Sequence, residues 1–452
     1  MNKVPIYLFV ISIVFLLCSC EKFLDEKSDV ALTIPDNIED LDALMNNLAK
    51  FSDDPRGGEI STDDYYVSED DFDGLFSEDE KNLYLWNENV YLEDQSNDWI
   101  IVYNAIYYCN LVLEKLEDLK KSGISVNPDR FDKVRGEALY YRGKSYFNAA
   151  QIWCQAYDET TSSVDLGLPL RLSSNFNERS TRDNLENTYQ RILRDLEESA
   201  SLLPAQSLHP TKTSKAAAYG MLSRTLLSMR RYEEAGRYAD SCLLIYDKLL
   251  DFNTLNPTSA TPIPQFSDEV ILEGVTSATI LTESRLRVDE KLIGLFDEAD
   301  LRKHINFSKR SDGSYLFKGT LVPYMHFTGI ASNEMYLNRA EAYCRSGNLS
   351  SALDDIDKLR SHRYHVNDYI PWDRDLSQFA LLDKILDERR KELLYRGIRW
   401  MDVKRLNKEG RGILMSRGSK GEADELQPND PRYALPLPRT IIELTGMPQN
   451  SR

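Results

Sequence analysis

Two stretches far apart in the chain, KAAAYGMLSRTLLSMRRYEEAGRYADSCL and EMYLNRAEAYCRSGNLSSALDDIDKLR, carry related residues at the same offsets. Tyr219, Ser223, Leu226, Ala235, Ala239 and Cys242 of the first fall on Tyr336, Ala340, Tyr343, Ala352, Ile356 and Leu359 of the second. Apolar and small residues three and four apart share one face of a helix, and the break within each stretch marks a turn. Each stretch is expected to fold as two antiparallel helices. Such a hairpin cannot bury its apolar face alone and needs a neighbour of its own kind.

An aromatic residue, small residues at the helix crossing and a turn between them match the tetratricopeptide pattern. Small Ala235 and Ala352 let the paired helices approach closely. The helical period recurs at Ile100, Tyr103, Ile106, Tyr107, Val112, Leu113 and Leu116. Further helices are expected from Asp98 to Lys121, from Phe131 to Tyr157, and from Leu185 to Leu203 ahead of Pro204. Segments 160–181 and 251–267 are rich in Ser, Thr, Asn and Pro without a helical period, which reads as loop. Strand-like runs are few and short. The fold class expected is mostly α: tetratricopeptide-like helix pairs forming a helical wall that supports long irregular loops, in a single domain over residues 36–452.

The first residues obey a different logic. From Ile6 to Leu17 only Ser12 is polar, and twelve helical residues at about 1.5 Å each cannot cross a hydrocarbon core of about 30 Å. Lys3, this apolar run and Ser19 just before Cys20 have the layout of an export signal. Leu17-Cys18-Ser19-Cys20 also resembles the bacterial lipobox, in which the last cysteine is lipidated and becomes the new N-terminus. Residues 1–19 are then a lipoprotein signal peptide, Cys20 the lipidation site, and residues 20–35 a lipidated tether. Several acyl chains, at about 0.8 kcal/mol per buried CH₂, hold a protein to a membrane where one chain does not.

A formal charge of −18 argues against nucleic-acid partners, because phosphate recognition relies on clustered Lys and Arg. With 42% hydrophobic residues the remaining chain can bury a sizeable core. Cys109, Cys154, Cys242 and Cys344 lack CxxC spacing and sit among helical apolar residues, as buried small residues do, although an exported location would permit a disulfide. His362 and His365 form the one close histidine pair, too sparse for a metal site, and no cofactor fingerprint is present.

The densest charged stretch is ILDERRKELLYRGIRWMDVKRLN. Glu388 and Glu392 share a helix face, as two carboxylates acting on a glycosidic bond must. Arg389, Arg390, Arg396, Arg399 and Arg405 surround them, however, and paired arginines depress carboxyl pKa values, which disfavours a general acid. Structural ion pairs are the better account. Glu341, inside a repeat helix, receives the same reading. No catalytic residues are expected, and the chain is read as a binding protein rather than an enzyme.

The order of several motifs resembles one family. The lipobox followed by EKFLDEK, then RGEALYYRGKSYFNAAQIWCQAY, LIGLFDEADLR, EMYLNRAEAYCRSGNLSSALDDIDKLR, DERRKELLYRGIRWMDVKRLN and the closing YALPLPRTIIE with Glu443 are similar to the SusD/RagB family of Bacteroidetes outer-membrane lipoproteins. One departure stands out: the family usually has Glu before the glycine of the arginine-rich motif, where this chain has Arg396 before Gly397. That puts one buried ion pair in doubt. The resemblance implies a nutrient-capture lipoprotein, surface-exposed on the outer membrane, acting as a lid on a SusC-like TonB-dependent transporter. Asp25 and Glu26, shortly after the lipidated cysteine, are compatible with surface export. The ligands implied are oligosaccharides, with peptides in one branch of the family.

Family ligand residues lie on variable loops, so candidates must come from aromatic residues in polar segments. Sugar rings present apolar CH faces to aromatic rings while Asp, Asn and Arg bind the hydroxyls. STDDYYVSEDDFDGLF has that composition, giving Tyr65, Tyr66 and Phe72 with Asp63, Asp64 and Asp71 beside them. Trp86, and Tyr369 with Trp372 in YIPWD, are second choices, whereas Trp99, inside a helical period, is expected in the core.

Overall fold

Several helix starts in this chain are set by side chains that accept the first free backbone N–H groups. Asn97, Asn184, Ser214, Asn348 and Ser377 each cap the helix that follows. Asn127 does so too, ahead of Pro128, whose fixed φ suits a first turn. The computed structural model describes residues 35–92, 97–320, 324–419 and 422–452. The expected signal peptide, Cys20, Asp25 and Glu26 lie outside the described residues.

The helices of seven residues or more are α1 (Ile38–Met45), α2 (Glu78–Tyr84), α3 (Asp98–Lys121), α4 (Pro128–Trp153), α5 (Leu185–Leu202) and α6 (Lys215–Ser228). They continue with α7 (Tyr232–Leu243), α8 (Ser332–Arg345), α9 (Leu349–Ser361), α10 (Gln378–Glu392), α11 (Arg399–Asn407) and α12 (Arg439–Thr445). Helices α3 to α9 each pack on the next, and α10 packs on α8, so the expected helical wall is continuous. The α6–α7 and α8–α9 hairpins begin and turn at equivalent positions, as the overlay of the two stretches requires.

Ala235 and Ala352 are fully buried, but the tightest crossing is one residue further on. A Cβ on Gly236 would lie 2.6 Å from the Ala342 methyl, so α7 and α8 meet where no side chain fits. Between α3, α4 and α5 the buried Arg142 forks onto Asp195 at 2.7 and 2.8 Å and donates to Asn110 at 2.9 Å. Charge on these helices thus serves packing.

Among the described residues the strands are short antiparallel pairs: β1 (Tyr65–Tyr66) with β4 (Arg287–Val288), β2 (Val270–Leu272) with β8 (Ile330–Ala331), β3 (Val275–Thr276) with β7 (His326–Phe327), β5 (Phe307–Lys309) with β6 (Tyr315–Phe317), and β9 (Met415–Ser419) with β10 (Glu422–Leu426). The β1–β4, β2–β8 and β3–β7 pairs pin distant segments together, whereas β5–β6 and β9–β10 are local hairpins. No helix among the described residues is long and apolar enough to cross a membrane.

Candidate ligand-binding surface

The acidic, aromatic segment 61–76 is divided by its own strand pairing. Tyr65 pairs with Val288 and Tyr66 with Arg287, and because strand side chains alternate, one ring turns inward and the next outward. Tyr65 is 2% exposed, donates its hydroxyl to the Ile60 carbonyl at 2.7 Å, and lies under the Arg417 guanidinium. Asp64 is buried and accepts from Arg390 Nε at 2.7 Å. Asp63 is forked by Arg399 at 2.9 and 3.1 Å. Trp86 is buried, with its indole N–H on the Ser61 carbonyl at 3.0 Å. The exposure expected of Asp64, Tyr65 and Trp86 is therefore corrected: all three are core groups, and Asp63 is spent on an ion pair.

The plug over this segment is Arg417 of β9. Its guanidinium stacks within 3.9 Å of the Tyr84 ring centroid and about 5 Å from Tyr65 and Trp86, and it donates to the carbonyls of Ile60, Thr62 and Tyr65. A cation over three aromatic faces holds the segment in place.

Tyr66, Asp71 and Phe72 remain half-exposed and lie on one surface. Ser68 caps the short turn Glu69–Asp73 that carries Asp71 and Phe72. Phe72 rests against Tyr84 at 5.7 Å between ring centroids. Arg287, directly across the ladder from Tyr66, donates to Asp71 at 2.6 Å and lies 3.6 Å from Asp312. Burial pushes the Asp71 carboxyl up, but hydrogen bonds from Ser68 and Arg287 outweigh it and hold Asp71 below the usual carboxylate range. Partial burial, Glu290 and Asp312 raise the Tyr66 hydroxyl, so it stays a neutral donor at ordinary pH. Strand β6 brings Tyr315 alongside β4, and Phe76 stands 93% exposed just beyond the turn. Tyr315 and Arg287 were missed by the sequence reading, since only the β1–β4–β6 contacts join them to Tyr66; Phe76 closes the quoted segment and was passed over.

Tyr369 and Trp372 form a separate group. The Arg360 guanidinium lies over the rings of Tyr364 and Trp372 at 4.6 Å and over Tyr369 at 5.5 Å, and the Tyr369 hydroxyl donates to Asp357 at 2.7 Å. These ring faces are already covered by cations. Trp99 is in the core, stacked on Tyr103 at 4.2 Å.

Glu388 and Glu392 meet on one guanidinium, that of buried Arg302, which also forks onto Asp300. Arg363 clasps Glu392 and reaches Glu269, and Lys391 bridges Asp300 and Glu388. Burial raises the Glu388 carboxyl, but Arg302, Lys391 and Arg360 prevail and hold it at about 2. Glu392 is brought to about 2 in the same way by Arg363 and Arg302. Two ionised, fully paired carboxylates have no proton to give. Glu341, clasped by Arg405 at 2.7 and 2.8 Å, is equally committed.

The departure at Arg396 has a local answer. Arg396 is buried, donates to Asn333 at 2.9 Å, stacks on Phe327 at 4.6 Å, and approaches Glu334 only to 4.0 Å because Arg224 already forks onto that carboxylate. Burial lowers its pKa to about 10. Cys109, Cys154, Cys242 and Cys344 are buried free thiols. His362 bonds to the Lys358 carbonyl and His365 pairs with Asp368; among the described residues no group of His, Cys, Asp and Glu is arranged to hold a metal. A cavity of about 760 Å³ between Asn87–Leu92 and the C-terminal segment carries amides. Gln449 and Asn450 there spend theirs on the backbone of Leu437, Leu435 and Trp153.

Comparison with known proteins was made on this basis. A family profile described as starch-binding associating with outer membrane matches residues 22–227, and the SusD family profile matches residues 332–443. Among solved structures, a SusD superfamily protein from Bacteroides thetaiotaomicron superposes with a TM-score of 0.75 at 21% identity, over 92% of this chain and 100% of the other. A sugar-binding protein from Bacteroides vulgatus gives 0.74 at 21% identity over 92% and 99%, and a laminarin-binding SusD-like protein gives 0.65 at 18% over 91% and 97%. None of the curated proteins compared with the chain matches it. The two profile matches together span more than half of the chain, in the order its motifs predict, and the chain belongs to the SusD family.

Proposed function

We propose that the protein is a cell-surface lipoprotein, held to the outer membrane through Cys20, that binds a glycan and passes it to a SusC-like TonB-dependent transporter. Capture requires no bond to be made or broken: the bound state raises the local ligand concentration at the transporter mouth. The observation that carries the glycan reading is the surface of Tyr66, Phe72 and Tyr315 beside the Asp71–Arg287–Asp312 chain. Rings with a free side stack on sugar CH faces, and an ionised carboxylate next to a guanidinium offers an acceptor and a donor to neighbouring hydroxyls. Relatives described as sugar-binding and laminarin-binding share the fold. The lipobox resemblance at Leu17–Cys20 supports the anchor.

The test is affinity electrophoresis of a soluble chain beginning after Cys20 against a panel of polysaccharides, with peptides assayed by calorimetry. At least one polysaccharide is expected to retard the parent, and Tyr66→Ala with Phe72→Ala to weaken that retardation roughly tenfold. Retardation by no carbohydrate would end the glycan reading, binding of peptides alone would replace it, and unchanged retardation of the double variant would move the site elsewhere. In whole cells, Cys20→Ala should release the chain from the membrane without unfolding it. Membrane attachment of that variant in the absence of the transporter would refute the anchor.

A further inference from the structure

A second aromatic groove lies away from the Tyr66 surface. Trp99, Tyr103 and Tyr107 follow one another at four-residue spacing along α3 and so share a face. Trp99 stacks on Tyr103, and Tyr107, at the end of the row, is 38% exposed. Opposite them stands Phe176, 81% exposed, and Ile441 and Thr445 of α12 close a third side. The space enclosed is about 210 Å³. That is below the size of pockets taking drug-sized molecules and suits a single ring.

Phe176 is bare on a loop that is built to hold it there. Arg171 donates to the Glu178 carbonyl at 2.6 Å, to Ser180 Oγ at 2.9 Å and to the Asn175 carbonyl, so its fork spans the residues on both sides of Phe176. Glu114 of α3 accepts both the backbone N–H and the hydroxyl of Ser174. Tyr146 and Asn110 bind the Arg171 carbonyl at 2.5 and 2.9 Å. A ring on a loose loop is unremarkable, but here the backbone on both sides of Phe176 is held by a guanidinium fork and a carboxylate before anything binds. Besides the rings, Ile106 and Met447 line the groove, and Tyr107, Ser173 and Ser180 bring hydroxyls to it, that of Ser180 accepting from Arg171 and that of Ser173 from the Asn175 N–H.

We infer that the Trp99–Tyr107–Phe176 groove is a second saccharide site, taking one pyranose ring with its CH face toward Phe176 and Tyr107 and its hydroxyls toward the Ser173 and Ser180 rim. The inference rests on the glycan reading above and adds to it. Two sites on one chain let a polysaccharide be held at two points, so that release from one leaves the strand tethered by the other.

The test uses the soluble chain labelled with 5-fluorotryptophan, with the Trp99 resonance assigned by Trp99→Phe, and glucose, maltoheptaose, laminarihexaose and xylohexaose as probes. Calorimetry with the same saccharides runs in parallel. At least one saccharide is expected to shift the Trp99 resonance dose-dependently. Phe176→Ala or Tyr107→Ala should weaken that response roughly threefold to tenfold. Calorimetric binding with an unmoved Trp99 resonance overturns the second site and leaves the glycan reading standing. No heat and no shift with any saccharide defeats the glycan reading, and the groove assignment falls with it. A shift produced only by an apolar tripeptide such as Leu-Phe-Leu overturns the inference in favour of a protein-docking groove.

Discussion

Replacing Arg302 by Met tests whether the buried lattice behind the arginine-rich motif holds the fold. The substitution keeps most of the side-chain volume and removes the one cation shared by Asp300, Glu388 and Glu392. Arg363, Lys391 and Arg360 then face those three carboxylates and Glu269, with every group nearly or fully out of water. Breaking a buried pair from one side costs about 3–5 kcal/mol, because the partner's charge stays buried without its counterion. The carboxylates also give the loss a pH signature. Glu388 and Glu392 titrate at about 2 in the folded protein against a usual 4.5, so their contribution is full above about pH 4.5 and is lost as pH falls through 2. At roughly 1.4 kcal/mol per unit of pKa, each is worth at most about 3 kcal/mol, and within one lattice the two overlap rather than add. In Arg302→Met the carboxyls are no longer held down, so the variant has less to lose on acidification. Urea unfolding followed by circular dichroism should show a deficit of about 3–5 kcal/mol at pH 7 that narrows by about 1–2 kcal/mol at pH 3.5. Adding Glu388→Gln should recover part of the pH 7 deficit. A deficit below about 1 kcal/mol at pH 7, or one independent of pH, would refute the reasoning.

Two further outcomes follow from local geometry. Burial and then Asp64 push the Glu59 carboxyl up to about 8, so the folded state keeps that proton and the associated stability is full below pH 4.5 and lost as pH rises through 8. Glu59→Gln should therefore match the parent in thermal melts at pH 4 and melt higher at pH 9; equal melting of the two at pH 9 would show that Glu59 is not protonated. Gly236→Val forces a side chain into the α7–α8 crossing, where a Cβ already meets Ala342 at 2.6 Å, and should cost about 1–3 kcal/mol by urea unfolding. Ala342→Gly should restore part of that loss, and no loss at all would mean the crossing is looser than described.

The helical wall was legible because its signals are local. Asp98–Lys121 was read with both ends as found, Leu185–Leu203 to within a residue, and the two hairpins in register, since a 3.6-residue period and a capping Asn or Ser act over a few positions. The expected start of α4 at Phe131 fell one turn late, because Asn127-Pro128 was not used as a start signal. The ligand surface was half legible. An acidic run with adjacent tyrosines looks exposed until its partners are known, and those of Asp63 and Asp64 are Arg399 and Arg390, more than 300 residues away. Strands of two or three residues have no period, so nothing in Tyr65–Tyr66 announces Arg287–Val288.

The clasp on residues 60–65 also sets an order on folding. Asp63 and Asp64 close on arginines of α10 and α11, and Arg417 of β9 seals the carbonyls of Ile60, Thr62 and Tyr65. A chain leaving the ribosome would carry that segment, with two carboxylates awaiting their counterions, until nearly all of its length had been made. The α3–α4 and α6–α7 hairpins can form as they emerge, but the face that carries Tyr66 and Phe72 is completed last, by contacts of very large sequence separation. The binding surface is thus a late product of folding, and a chain cut short before Arg417 would have a helical wall and no finished face to offer a ligand.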